Sequence, residues 1–83
     1  MSDVLIRLRQ KLPQMTSKER EIAEVVLANP NLVVESTITE LARACEVSPG
    51  SVARMCRTAG FRGYRDFRID MASTVGREEN NRA

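Results

Sequence analysis

The sequence predicts an all-α bundle of about five helices, and three observations carry that reading. Apolar residues recur at helical spacing in five segments, no segment alternates cleanly between apolar and polar residues, and helix-capping residues stand at the segment boundaries. At 83 residues the chain has room for one small domain. A domain of this size buries only ~60–65% of its unfolded surface, so its core must be tightly patterned.

The first segment, Asp3 to Leu12, places Val4, Leu5, Leu8 and Leu12 on one stripe, with Ile6 off it, and stops at Pro13. The second opens at Thr16, where Glu19 stands three residues on at capping-box spacing. It turns Ile22, Ala23, Val26 and Leu27 inward and ends at Asn29-Pro30, after which residues 31–35 can add a helical turn. The third opens at Thr37 with Glu40 at the same spacing, carries Ile38, Leu41, Ala42 and Cys45, and stops near Cys45. In the fourth, Ser48 is an N-cap, Pro49 fills the first helical position and Gly60 stands ready as a C-terminal cap. Its stripe is Val52, Met55, Cys56 and Ala59. The fifth begins after Gly63 and buries Tyr64, Phe67 and Met71. From Ser73 the pattern fades into a polar tail, so residues 1–73 are expected to form the domain and 74–83 a linker.

Composition excludes several functions. Hydrophobic residues are 42% and charged residues 29%, an ordinary globular mix. No apolar run approaches the ~18–20 residues that span a bilayer, and no secretory leader is visible, so a membrane partner is not expected. There is no His and no Trp, which removes the commonest general base and zinc ligand. An enzyme, a metal site and a cofactor site are all unexpected. The two cysteines, Cys45 and Cys56, lie on inward stripes, which favours packing over a redox pair. Thr16 and Thr37 read as caps rather than phosphorylation sites.

Charge is concentrated. The total is only +2, but residues 43–68 hold Arg43, Arg54, Arg57, Arg62, Arg65 and Arg68 against Glu46 and Asp66. Arginine's planar fork suits phosphates and guanine edges better than lysine's point charge.

Residues 38–57 form one unit in which two short helices flank the tight connection Glu46-Val47-Ser48. Leu41, Ala42, Cys45, Val47, Val52 and Met55 fall where a helix-turn-helix needs apolar or small side chains. Turned at about 100° per residue, the fourth helix keeps Met55, Cys56 and Ala59 within about 60° of Val52. Gly50, Arg54, Arg57, Thr58 and Ser51 then fall at about 160°, 200°, 140°, 240° and 260°. This outer face is small at its N-terminal end and basic further along, as a helix entering the major groove requires. Arg54 would reach base edges and Arg57 the backbone. Ser48, Pro49 and Gly50 would bring the helix N-terminus close to a phosphate, and Arg62, Tyr64 and Arg65 would hold the flanking strand. Two other readings stay open: arginines that are merely solvated, and a helix-turn-helix used for protein–protein interaction. RNA is less expected, because the aromatics look buried.

Leu12-Pro13, Thr16 to Arg20, Ile22-Ala23, Leu27 and Asn29-Pro30 resemble the N-terminal half of the DNA-binding domain of RpiR-type bacterial regulators. So do Ile38-x-Glu40-Leu41-Ala42, Val47-Ser48, Ser51-Val52-x-Arg54, Cys56-Arg57 and Gly60-Phe61-x-Gly63-Tyr64. The resemblance covers roughly residues 3–72. It implies a homeodomain-like, cytoplasmic bacterial transcription regulator of carbohydrate metabolism, with Pro49 to Ala59 as recognition helix. It further implies double-stranded DNA as partner, with Ser51 and Arg54 contacting base or backbone. A sugar-phosphate effector would act through a C-terminal SIS domain that this sequence lacks. Glu46 stands where the family usually has Gly, and Pro49-Gly50 where it usually has an acidic-small pair. A single such domain buries little surface on DNA, so a homodimer with recognition helices ~34–36 Å apart is expected.

Overall fold

A computed structural model describes residues 4–80, with side chains up to Gly76. Helix α1 (Val4–Lys11) tightens into a 3₁₀ turn over Leu12–Gln14, because Pro13 has no N–H for an α-helical ladder. The expected start at Asp3 lies outside the described residues. Thr16 then opens α2 (Ser17–Ala28) with a complete capping box, and Asn29 closes it. The extra turn expected at 31–35 is a short helix, α3 (Pro30–Glu35), so the described residues hold six helices rather than five. Pro30 sits at its start, where a missing N–H costs nothing.

A second capping box, Thr37 with Glu40, opens α4 (Ile38–Cys45). Glu46 ends it in the left-handed region at φ 59°. There the Glu46 N–H donates to the Arg43 carbonyl (3.1 Å) and the Val47 N–H to the Ala42 carbonyl (2.9 Å), a Schellman turn. Helix α5 (Pro49–Thr58) is capped by Ser48, whose Oγ accepts from the Ser51 N–H at 3.2 Å. It ends in the same motif around Gly60 at φ 97°, with Gly60 N–H to Arg57 O (3.0 Å) and Phe61 N–H to Cys56 O (2.9 Å). Both helices of the expected helix-turn-helix therefore stop by one device, with glycine at only one of the two left-handed positions.

Helix α6 (Tyr64–Asn80) runs past the expected domain limit at residue 73. The linker expected over 74–83 is helical as far as residue 80, and Thr74 and Val75 are buried. No proline interrupts the helix there, and Val75, four residues after Met71, extends the apolar face. Residues 81–83 of that linker lie outside the described residues.

The core is continuous. Leu8, Ile22, Val26, Leu41, Val52, Met55, Phe67 and Met71 are fully buried together. Helix α5 packs on both α2 and α4, while α6 packs on α3 and also reaches α1 and α5. Phe61 meets Phe67 edge-on at 5.2 Å between ring centres, fixing the corner between α5 and α6.

Candidate nucleic-acid interface

The exposed face of α5 is built by what α5 buries. Val52, Met55, Cys56 and Ala59 are inaccessible, so Pro49, Gly50, Arg54 and Arg57 stand on the solvent side, as the sequence predicts. Among the described residues, the side chains of Arg54 and Arg57 make no hydrogen bond or ion pair. A Cβ placed on Gly50 would lie 3.9 Å from Arg54 Nη2 and 3.8 Å from Ser48 Oγ, so the guanidinium hangs over the N-terminal turn. Absence of a side chain at Gly50 leaves that turn open beside a cation and the unbonded N–H groups of the helix start.

Three expected contact residues are placed otherwise. Ser51 is only 9% exposed, and its Oγ lies 3.1 Å from Ser48 Oγ. Thr58 is half-buried and donates to Glu19 Oε1 at 2.9 Å. Both lie on the flank of α5 that leans on the start of α2, so the buried arc is wider on that side than the apolar stripe alone indicates. Tyr64 is also 9% exposed, and its hydroxyl is shared between the carbonyls of Ser36 (2.6 Å) and Val33 (3.0 Å). Its aromatic body fills the core, so its side chain serves the fold.

Arg62 and Arg65 are exposed but serve different depressions. Arg62 shares one with Arg7, Asp66 and Asp70, whose carboxylates offset its charge. Arg65 borders an open groove of about 720 Å³ with Val34, Ile38 and Ile69. Arg68 donates from Nε and Nη2 to the Val34 carbonyl (3.2 and 3.1 Å), so one member of the arginine cluster ties α6 to α3. Arg7, from outside the cluster, donates to the Gly60 carbonyl at 3.2 Å and lies over the Phe61 ring at 4.2 Å.

Lys18 was not singled out in the sequence. It lines a cleft of about 150 Å³ with Thr16, Glu19, Ser51 and Arg54. The capping box at Thr16 was the available signal, since it fixes Lys18 in the first turn of α2. The cysteines are free thiols. Burial pushes the Cys56 thiol up to about 12, which leaves it a packing residue. Among the described residues no group of three or more His, Cys, Asp or Glu side chains is placed to hold a metal ion, and no helix is long and apolar enough to cross a membrane.

Two short helices joined by a three-residue turn, the second presenting unpaired arginines on its outer face, define a helix-turn-helix DNA-binding domain. Residues 2–78 match the family model described as the helix-turn-helix domain of the rpiR family, and the chain belongs to that family. It is 37% identical over 78 residues to an uncharacterised HTH-type transcriptional regulator of Caldanaerobacter subterraneus subsp. tengcongensis, covering 94% of this chain and 28% of that protein. It is 35% identical over 72 residues to the bifunctional protein glk of Paraburkholderia xenovorans, covering 87% of this chain and 11% of that protein. The Vibrio vulnificus NanR protein, solved in complex with ManNAc-6P, superposes with a TM-score of 0.85 at 36% identity, over 94% of this chain and 30% of NanR. The chain thus spans under a third of the length of these relatives. It is a DNA-binding domain of transcription regulation.

Proposed function

We propose that this chain reads double-stranded DNA by sequence, with α5 in the major groove. The observation that carries the reading is the exposed, unpaired pair Arg54 and Arg57 on the face of α5 opposite the core. Arg54, folded toward the open turn at Gly50, is the base-edge reader, and Arg57 binds backbone phosphate. Ser48, Pro49 and Gly50 bring the helix N-terminus to a phosphate, while Arg62 and Arg65 add outer positive charge. Ser51 acts within the fold by supporting the cap at Ser48.

Two copies are needed for useful affinity, because one domain of this size covers only ~600–1,000 Å² on DNA. Ile6 and Ile69, 50% and 57% exposed, are apolar surface available to a second copy. The chain does no chemistry of its own, works in the bacterial cytoplasm where DNA is met, and belongs to a regulator of carbohydrate metabolism. NanR's complex with a sugar phosphate supports an effector of that class, acting through a domain outside this chain.

Selection of bound sequences from a random duplex pool, followed by fluorescence anisotropy on the selected duplex at two salt concentrations, tests the reading. Affinity that falls steeply with salt and exceeds that for a scrambled duplex is expected. No binding to either duplex at either salt concentration would instead indicate a protein-interaction module.

A further inference from the structure

We propose that Glu19 is a positioning residue for the recognition helix: by holding Thr58 it fixes the roll of α5 and so the direction in which Arg54 and Arg57 leave it. The inference rests on reading α5 as the recognition helix. Two capping boxes of the same type provide an internal comparison. In the box of α4, Glu40 Oε1 accepts from the Thr37 N–H at 2.8 Å, and among the described residues the Glu40 carboxylate makes no hydrogen bond outside that box. In the box of α2, Glu19 Oε1 lies 3.4 Å from the Thr16 N–H and 2.9 Å from Thr58 Oγ1. The shorter hydrogen bond of Glu19 goes to a residue 39 positions away rather than to its own helix start.

A glutamate needed only as a cap would sit like Glu40. The Thr58 bond joins the first turn of α2 to the last turn of α5, on the flank that also buries Ser51. The apolar stripe beneath α5 resists separation but tolerates a small roll, because its contacts are non-directional. A roll of about 20° moves a point at the side-chain radius of a helix by roughly 2 Å, enough to break a two-point hydrogen bond to a base edge. A hydrogen bond at the flank resists that motion directly. Glu19 is not a phosphate contact, since a carboxylate repels phosphate.

The test compares the affinity of this chain for the selected duplex with that for a scrambled duplex, at fixed salt and at temperatures where each variant is folded. Glu19→Ala and Thr58→Val are each expected to lower that ratio roughly tenfold, toward the lower end of what one base-reading arginine supplies. The double variant should fall no further than either single one, because the two side chains act as one unit. Glu19→Gln keeps an acceptor oxygen and should stay within about twofold of the wild type. Glu40→Ala loses an equivalent cap and should lower the melting temperature while leaving the ratio unchanged. An unchanged ratio in both Glu19→Ala and Thr58→Val, or an equal fall in Glu40→Ala, would overturn the proposal. A wild-type chain that binds both duplexes equally would overturn the recognition-helix reading and the positioning role with it.

Discussion

The Tyr64 hydroxyl donates to the Ser36 carbonyl at 2.6 Å, across 28 residues of chain, and fixes α6 to the point where α3 ends and α4 begins. The Val33 carbonyl shares that proton at 3.0 Å, but it also accepts from the Ser36 N–H, so Ser36 O depends on Tyr64 more completely. Tyr64→Phe leaves a buried carbonyl unpaired and is expected to cost about 1–3 kcal/mol of stability in urea unfolding. DNA preference of the folded variant should not change, because the hydroxyl faces inward.

Glu46 occupies the left-handed position of the turn at φ 59°, which side chains other than glycine adopt at a cost. Glu46→Gly is expected to stabilise the domain by about 1 kcal/mol, the relief of strain outweighing the greater freedom of the unfolded chain. Glu46→Val should destabilise it, since a β-branched residue resists that region. Glu46→Asn serves as the control: it tolerates the conformation and also removes the charge beside Glu21 and Glu24. Chemical denaturation of the three variants separates strain from charge.

Local signals were legible and distant partners were not. Both capping boxes and the Gly60 terminus were readable because each is a pattern within about five residues. The exposed placement of Arg54 and Arg57 followed from the apolar stripe at Val52, Met55, Cys56 and Ala59. Ser51 and Thr58 were misplaced because the stripe alone does not reveal that α2 leans on one flank of α5. Tyr64, Arg7 and Arg68 find carbonyl partners 28 to 53 residues away, which no periodicity encodes. The extent of α6 was missed because Ala72, Ser73, Thr74 and Gly76 look like a linker, although Val75 continues the buried face.

Thr74 carries the buried hydroxyl that has no hydrogen-bond partner among the described residues. Thr74→Val keeps the shape and removes the unpaired group, and is expected to raise stability by about 1 kcal/mol. Deleting residues 74–83 should instead lose about 1.5 kcal/mol or more, because Val75 then leaves the core. Thermal melts of both forms distinguish a helix that belongs to the domain from a linker that follows it.

Alkaline stability should report two buried acids. Burial raises Cys56 from 9.0 to about 12 and Tyr64 from 10.0 to about 12. In each case the folded state holds its proton more tightly than the unfolded one. The stabilisation is complete below the unfolded value and is lost as pH rises toward the folded value. Stability is therefore expected to decline from about pH 9 toward pH 12, with Cys45, also raised by burial, contributing in the same direction. Cys56→Ala should flatten the decline from about pH 9, and Tyr64→Phe only above about pH 10. Urea midpoints measured across that range provide the check.

The two outward arginines of α5 should fail differently. Arg54 stands over the open turn at Gly50, where base edges would be met, so Arg54→Ala is expected to cost about 1–3 kcal/mol on the selected duplex and to relax preference at one base pair. Arg57, nearer the C-terminal end of α5, is the proposed contact to the phosphate backbone. Arg57→Ala should weaken binding evenly across sequences and reduce the slope of log affinity against log salt by about one. Neither side chain has a hydrogen-bond or ion-pair partner among the described residues, so both variants should melt close to the wild type. Anisotropy titrations on selected and scrambled duplexes at several salt concentrations yield both quantities. If the Arg54 variant kept its preference while the Arg57 variant lost it, the roles would be exchanged, and α5 would lie in the groove rolled toward Arg57.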